Sequence, residues 1–355
     1  MPEHGRPPAA PDWPRLARSL AARLSDSRVA VEAPLGALST YRVGGCARLL
    51  VEVGTAADLR CLAGFAAVER WNVLVVGNGS NLLVADSGFE GVALRLTSAF
   101  AAARIEGSSV TAGAAALLPV LARRCAAAGL GGLGWAVGVP GSVGGAVRMN
   151  AGGHGSDMRE VLRWADIADF ASGGQRRFAL EELALGYRTS ALQRHHVVVE
   201  VECQLRSSQR EREEELIRQI VAWRRRHQPG GANTGSVFAN PPGDSAGRLA
   251  EAAGCKGLRI GSAAVSTVHA NFIQADLGGS ASDVLALMTE VARRVRSHSG
   301  IRLRHETCLV GFDEPSLRDL GFDGPGDVGA GIGERNSGGQ NQEGMGLEQS
   351  RGRQL

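Results

Sequence analysis

Two glycine-rich stretches in the first half of the chain have the composition of turns that bind phosphate. Gly77-Asn-Gly-Ser-Asn81 follows a short apolar run and offers clustered N–H and side-chain donors. Eleven of the 27 residues from Gly129 to Gly155 are glycine, a density unlike that of an ordinary helix or strand, where each interior glycine costs about 0.5–1 kcal/mol. An ordered backbone of this kind can approach a ligand closely and grip an anion with its N–H groups. The first stretch is also compatible with a plain turn, and the second with a tightly folded loop.

Neither stretch matches a standard nucleotide motif. After the G-x-G of Gly77 and Gly79, the apolar run Leu82–Val84 stands where a Rossmann fingerprint has a third glycine and a helix, so a Rossmann unit is disfavoured. The run 138–145 contains no G-K-[ST], which excludes a nucleotide-hydrolysing P-loop. Two separate turns can instead hold two ends of one dinucleotide.

Three polar side chains in apolar or small surroundings are further candidates for chemistry. Ser236 can face a pocket from a strand edge, or simply occupy a turn. The chain has no G-x-S-x-G elbow around it, and serine serves as a general acid only beside a strongly basic carbanion. Arg188 lies in a run of small and polar residues, and Glu306 lies on a predicted strand. A charge in a strand core needs a partner, and the local sequence favours Arg302 or Arg304 for Glu306.

The elements that must position these groups fall into three pieces of mixed helix and strand, which indicates an α+β fold. We predict ordered pieces at 21–97, 98–207 and 210–312. The flanks, 1–20 and 313–355, are predicted to be disordered, although helical spacing begins at about residue 16 and the C-terminal flank has little to bury.

The charge distribution argues against a nucleic-acid partner. The net charge is only +3, and Lys256 is the one lysine. The densest basic run, Arg224–His227, ends a predicted helix whose first half is acidic, so a solvated helix face accounts for it. No aromatic residues alternate with that run as a single-strand binder requires.

Cysteine usage and hydropathy predict a cytoplasmic protein with no metal site and no membrane partner. The six cysteines form no CxxC or Cys/His metal spacing and lie mostly among apolar neighbours. The N-terminus lacks a signal pattern, and no apolar run reaches the roughly 18 residues that span a bilayer. We therefore expect reduced thiols.

Six motifs spread over about residues 20–312 occur together in one order. They are TYRVGGCA (40–47), VVGNGSNLLVADSGFEGV (75–92), AVGVPGSVGGAVRMNAGGHG (136–155), YRTS (187–190), the run 233–273 that contains NTGSVFANPP, and LRHETCLVG (303–311). In this order and spacing the chain resembles the UDP-N-acetylenolpyruvoylglucosamine reductase family, flavoenzymes of peptidoglycan synthesis. The uninterrupted 233–273 run resembles the shorter family type, which lacks an extra loop with a substrate-binding tyrosine.

The resemblance implies a fold, a cofactor and a reaction. The fold is a two-lobed FAD-binding region of the vanillyl-alcohol-oxidase (PCMH) type, followed by an α+β substrate-binding domain. FAD is held without a covalent bond, and NADPH reduces it and leaves. The UDP-sugar substrate, UDP-N-acetyl-3-O-(1-carboxyvinyl)-glucosamine, then enters the same pocket and is reduced to UDP-N-acetylmuramate.

The resemblance also implies roles for individual residues. Ser236 matches the proton donor to C2 of the enolpyruvyl group, and Arg188 and Glu306 match the pair that stabilises the enolate. We expect Glu306 to be protonated, or to share a proton with the substrate carboxylate. The residues expected to bind the substrate are Tyr187, His227, Asn240 and His269. The residues expected to bind FAD are Val76, Gly77, Asn78, Gly79, Ser80, Asn81, Gly138, Val139, Pro140, Gly141, Ser142, Gly144, Gly145, Asn150, Ala151 and Gly152.

The chain departs from the family pattern at the expected phosphate site. His227 stands where the family usually has a lysine that holds the substrate's phosphates, and it supplies less charge at neutral pH. One of the arginines at 224–226 can substitute for that lysine. His154 replaces a usual tyrosine, and Ser39 replaces a usual asparagine.

Two alternative functions are compatible with the glycine turns. A sugar or alcohol oxidase of the same fold group passes electrons to oxygen, and a non-catalytic protein only binds flavin. Neither has an obvious task for Ser236 or Glu306, so both are disfavoured. We expect a monomer.

Overall fold

Residues 11–318 are described in the computed structural model. They form three packed pieces, named here lobe 1 (13–96), lobe 2 (103–207) and the C-terminal domain (210–318). Disorder predicted for 1–10 and 319–355 lies outside the described residues.

Lobe 1 is a four-stranded sheet with one helix across it. The sheet order is β1-β2-β5-β3, with β1 antiparallel to β2 and β5 parallel to both of its neighbours. The Thr55 hydroxyl caps the start of α2 by accepting the Asp58 N–H. The apolar face of α2 covers the sheet. The elements are α1 (Trp13–Ala21), β1 (Arg28–Pro34), β2 (Cys46–Val53), α2 (Ala56–Glu69), β3 (Val73–Val75), β4 (Leu82–Val84) and β5 (Phe89–Leu96).

Lobe 2 is a five-stranded antiparallel sheet in the order β12-β11-β13-β7-β6. Its core includes the apolar residues that alternate with the glycines of 129–155. The elements are β6 (Ala103–Glu106), β7 (Ser109–Gly113), α3 (Leu118–Ala127), β8 (Leu130–Gly131), α4 (Val143–Arg148), β9 (Gly152–Gly153), β10 (Ser156–Asp157), β11 (Leu162–Asp169), β12 (Gln175–Ala179), α5 (Leu180–Leu183), β13 (His196–Gln204) and β14 (Arg206–Ser207).

In the C-terminal domain one long helix packs on a small three-stranded sheet, β16-β17-β18, and a shorter helix packs on that helix. Its long first helix, α6, lies instead against lobe 2, since Ile217 and Ile220 join the core of that lobe. The elements are α6 (Arg210–His227), β15 (Phe238–Ala239), α7 (Ala246–Ala252), β16 (Arg259–Ile260), β17 (Ala263–Val265), β18 (Ile273–Ala275), α8 (Ala281–Ser299), β19 (Arg304–His305), β20 (Cys308–Val310) and α9 (Glu314–Arg318).

The end of the C-terminal domain returns to lobe 1. Strand β20 pairs in parallel with β4, and the strand that leads into it, β19, pairs with β15. Tyr41 and Leu83 of lobe 1 belong to the core of the C-terminal domain. This crossing places the segment around Glu306 between the first glycine turn and the Ser236 loop.

The structure corrects three sequence predictions. Helix α1 lies in the flank predicted to be disordered and agrees instead with the helical spacing that begins at about residue 16; its Leu20 is 1% exposed. Helix α9 likewise lies in the predicted tail, where Leu317 is buried. The predicted strand that contains Glu306 is interrupted at Glu306 and Thr307, so Glu306 lies between two strands. The described helices include none with the length and apolarity to cross a membrane.

Candidate active site

A cleft of about 1970 Å³ opens between the two lobes and the C-terminal domain. Both glycine turns line it, and so do Arg188, Ser236 and Glu306. These five features are widely separated along the chain, so only the packing of all three pieces brings them together.

The first glycine turn presents unused main-chain donors. Within the described residues, no main-chain N–H from Gly77 to Asn81 donates to a protein acceptor. Backbone N–H groups in folded proteins almost always find a partner. Consecutive free N–H groups in a turn form a concave site for an anion, which fits the diphosphate of a dinucleotide.

The second turn contributes differently from the sequence expectation. The N–H groups of Val143 and Gly144 already donate to Ala116 and Ala114, and that of Gly145 donates to the Ser142 hydroxyl at 3.3 Å. These three N–H groups are therefore not available to a ligand. This part of the turn instead lets a ligand approach the backbone closely.

The two turns adjoin each other on one wall of the cleft. The Asn78 amide donates to the Pro140 carbonyl at 2.5 Å. A Cβ atom at Gly77 would lie 2.6 Å from the Ser142 hydroxyl, and one at Gly141 would lie 3.5 Å from the Ser80 hydroxyl. Glycine at position 77 is therefore what lets the turns meet.

One residue expected to bind FAD, Asn150, does not line the cleft. Asn150 is 1% exposed, and its amide donates to Asp157 and to the Gly186 carbonyl. It fixes the loops beneath the site. The other residues expected to bind FAD do line the cleft.

The Ser236 loop is held by its own neighbours. Gly235 has φ +80°, a conformation that favours glycine, and its N–H donates to the Asn233 side chain at 3.0 Å. Beyond Ser236, the Asn271 side chain makes two hydrogen bonds to the Phe238 backbone. The sequence offered no sign of the Asn271 contact, since it joins segments 33 residues apart.

Glu306 is fixed by main-chain bonds on both sides. Its N–H donates to the carbonyl of Val237, the residue after Ser236, at 2.7 Å. Its carbonyl accepts from the Asn81 side-chain amide at 2.9 Å. Glu306 thus joins the serine loop directly to the first glycine turn.

The carboxylate of Glu306 pairs with Arg188, so the sequence-based pairing with Arg302 or Arg304 is wrong. Arg188 Nε lies 2.8 Å from Glu306 Oε1, and each side chain is 19% exposed. The Nε–H does not point at the carboxylate, so within the described residues Nε has no hydrogen-bond acceptor. The contact is therefore an ion pair without an aligned hydrogen bond.

Arg188 has a constrained backbone and a bonded guanidinium, and the pKa of Glu306 is shifted. Arg188 has φ +58°, uncommon for a non-glycine residue, and its Nη2 donates to the Gly152 carbonyl at 2.8 Å. Burial raises the pKa of Glu306, while the charges of Arg188 and, less strongly, Arg304 oppose that rise.

Three of the four residues expected to bind substrate line the cleft: Tyr187, Asn240 and His269. His269 Nδ1 accepts the Asn271 N–H at 3.1 Å, so a neutral His269 carries its proton on Nε2 and is a donor. His227 does not line the cleft. Its ring stacks on Trp223 at 4.6 Å, and its Nδ1 lies 2.8 Å from the Trp223 carbonyl.

Helix α6 presents arginines to the cleft where the sequence favoured a solvated face. Arg224 and Arg226 line the cleft, whereas Arg225 does not. Trp223 lies beside them, with its ring 5.3 Å from that of His154. The solvated-face interpretation is therefore wrong for Arg224, which is half-buried, whereas Arg226 lines the cleft with an exposed side chain.

Arg148, Arg194 and His196 also line the cleft and were missed by sequence reasoning. A signal existed for the first of them, because Arg148 is the one Asp, Glu, Lys or Arg between Gly129 and Gly155. Arg194 lies in a turn and His196 follows it, and nothing in their sequence context points to a site.

A second cluster lies at the start of β13. Asp169, His195 and His196 bring possible metal-ligand atoms within 4.8 Å of one another. Both Asp169 oxygens already accept local hydrogen bonds, from the Ala171 N–H and the Ser172 hydroxyl. These hydrogen bonds account for the position of Asp169, which lies in a turn next to the two histidines.

The chain matches two family models and is similar to several known proteins. A family model described as FAD binding domain matches residues 47–179, and one described as UDP-N-acetylenolpyruvoylglucosamine reductase, C-terminal domain, matches 227–310. The chain is 45% identical over 281 residues to the reductase of Heliobacterium modesticaldum, covering 78% of this chain and 89% of the relative. It is 42% identical over 280 residues to that of Rubrobacter xylanophilus, covering 78% and 94%. The crystal structure of the Thermus caldophilus reductase superposes with a TM-score of 0.70 at 36% identity, covering 80% of this chain and 99% of that one.

Proposed function

The chain belongs to the UDP-N-acetylenolpyruvoylglucosamine reductase family, and from that premise we propose how its own residues carry out the reaction. It is an FAD-dependent oxidoreductase of peptidoglycan synthesis, with NADPH as the reductant and a UDP-sugar as the substrate. The observation that carries the residue assignment is the 2.7 Å bond from Glu306 N–H to the Val237 carbonyl, which holds the Ser236 loop beside the Arg188–Glu306 pair.

The first glycine turn and the wall next to it hold FAD. The free N–H groups of 77–81 take its diphosphate, and the close backbone of 138–145 borders it. When bound, FAD supplies the hydride that NADPH has delivered to it.

Arg188 and Glu306 act on the enolpyruvyl carboxylate. When hydride adds to the methylene carbon, the electrons of the double bond move to C2 and into that carboxylate. A fixed guanidinium there stabilises the developing charge, an effect typically worth about 3–4 kcal/mol. A protonated Glu306 donates to the same group, and the ionised form would repel it.

Ser236 completes the reaction by giving its hydroxyl proton to C2, where the carbanionic centre is basic enough to take it. The bond from Ser236 oxygen to hydrogen breaks and the C2–H bond forms. The product is the saturated lactyl ether.

The direct test is spectroscopic. Purified protein should be yellow, should bleach with NADPH under anaerobic conditions, and should recover its colour when the enolpyruvyl sugar nucleotide is added. Recovery with oxygen but not with the sugar nucleotide would support the oxidase alternative. A yellow protein that NADPH does not bleach would support the non-catalytic alternative.

Gly77→Ala should weaken FAD binding about tenfold or more. The added Cβ would meet the Ser142 hydroxyl at 2.6 Å, which pushes apart the two turns that form the FAD wall. The measurement is the Kd from quenching of flavin fluorescence on titration of the apoprotein. Gly64→Ala is the matched control, because its Cβ meets nothing within 4 Å. Equal Kd values for the two variants would refute the placement of the diphosphate.

Arg224→Gln should raise KM for the sugar nucleotide by about 10–100-fold, the range of a charged hydrogen bond to phosphate. His227→Gln should leave KM within about twofold, because its ring packs on Trp223 outside the cleft. Arg225→Gln, exposed and away from the cleft, is the control. A large KM effect in His227→Gln with none in Arg224→Gln would restore the histidine as the phosphate ligand.

We also propose that the enzyme works in the cytoplasm as a monomer. Both of its nucleotide substrates belong to that compartment, and the six cysteines are free thiols. Light scattering coupled to size-exclusion chromatography tests the monomer, for which the expected mass is 37.0 kDa.

A further inference from the structure

Two arginines on the cleft wall, Arg148 and Arg194, have no acidic partner. Arg188 pairs with Glu306, but within residues 11–318 no ion pair joins Arg148 or Arg194 to a carboxylate. Arg148 is half-buried, and burial and the charge of Arg194 lower the pKa of its guanidinium, whereas Arg194 lines the cleft with an exposed side chain. A half-buried cation without a carboxylate partner, next to a second cation on the same cleft wall, indicates that an anion belongs there.

The two arginines occupy one stretch of the wall. Arg148 Nη1 donates to the carbonyls of Leu192 and Gln193, at 2.6 and 2.5 Å. These are the two residues immediately before Arg194. The end of α4 is thereby tied to the segment that carries the second arginine.

This stretch is not the part of the cleft that takes the diphosphate. Ser142, which adjoins Gly77, precedes α4, and Arg148 ends that helix about 9 Å further on. Arg148 instead lies next to the Arg188 loop, because its carbonyl accepts the hydroxyl of Ser190, two residues beyond Arg188, at 2.6 Å. The charges of Arg148 and Arg194 also oppose the rise that burial causes in the pKa of Cys308, which is two residues beyond Glu306 and lines the cleft. The arginines therefore lie at the end where reduction occurs.

We propose that Arg148 and Arg194 bind the flavin ring and stabilise the negative charge that it gains on reduction. A hydride brings two electrons and one proton, so a neutral ring that accepts it becomes an anion of charge −1. The substrate carboxylate, the other anion at this end, already has Arg188. Cationic groups near the ring are among the levers by which a protein tunes a flavin. This inference rests on the FAD site of the proposed function.

Arg194→Gln provides the cleaner test, because Arg148 also holds two backbone carbonyls. The measurement is the midpoint potential of the FAD-loaded protein, in equilibrium with a reference dye and without NADPH or sugar nucleotide. Loss of the charge should weaken binding of reduced relative to oxidised FAD about tenfold, which is about 30 mV more negative for a two-electron couple. Arg194→Lys should retain most of the wild-type potential, because it keeps the charge.

Arg163→Gln is the matched control, since Arg163 lies exposed on β11 and does not line the cleft. A potential for Arg194→Gln equal to that of this control would overturn the proposal. An unchanged potential with a raised KM for the sugar nucleotide would also overturn it and assign Arg194 to the substrate. Because the potential is measured without either substrate, failure of the reductase assignment alone would not affect the result.

Discussion

Ser236→Ala should slow reduction of the sugar nucleotide by orders of magnitude while leaving reduction of the flavin by NADPH intact. The substitution removes the hydroxyl that protonates C2, and loss of a positioned general acid typically costs 10²–10⁴-fold in rate. The NADPH half-reaction needs no proton from this residue. Anaerobic stopped-flow absorbance separates the two half-reactions: bleaching should keep its wild-type rate, and recovery of colour with the sugar nucleotide should become slower by that factor.

The Ser236→Ala substitution should leave the conformation of its loop unchanged. Ser236 is half-buried, and the loop around it is fixed by Asn233, Gly235 and Asn271 and not by its own hydroxyl. Ser236→Cys is a useful companion, because a thiol keeps a transferable proton in nearly the same place and should recover part of the rate. If bleaching and recovery slowed equally in Ser236→Ala, the serine would be positioning the cofactor and not supplying a proton.

Much of the architecture could be predicted from the sequence. The α+β fold with two FAD-binding lobes, the family, the FAD and NADPH dependence and the UDP-sugar substrate are confirmed by the two family models and by relatives at 42–45% identity. Glycine turns and apolar alternation are local signals that indicated the α+β pieces and an anion-binding site, whereas the family, the cofactors and the substrate followed from the resemblance carried by six motifs in one order. The piece boundaries and the roles of the site residues stay predictions.

What the sequence could not predict depends on contacts between distant segments. Glu306 pairs with Arg188, 118 positions away in the chain, although two arginines are near neighbours in sequence. Local charge favours the near partners, but a break between β19 and β20 points the carboxylate into the cleft. In the same way, the direction of each side chain on α6 decides that Arg224, and not His227, faces the cleft.

Glu306→Ala should slow reduction of the sugar nucleotide about 10²–10³-fold, the typical cost of removing one donor to a developing oxyanion. Glu306→Gln should lose less, because an amide N–H can still donate to the substrate carboxylate. Neither variant should change the rate of bleaching by NADPH. Wild-type rates of colour recovery in Glu306→Ala would exclude the role.

The pH dependence separates the protonated from the ionised form of Glu306. Burial raises the pKa of this carboxyl, so its neutral form persists to higher pH than that of an ordinary glutamate. If the neutral form is the active one, kcat/KM for the sugar nucleotide falls as the pH rises through that raised pKa. The side chain of the Glu306→Gln variant cannot ionise, so this decrease should be absent from its pH profile. Changes of kcat/KM with pH that come from other groups should remain. A profile in which the wild-type rate instead rises through that pKa would show that the carboxylate, held by Arg188, is the working form.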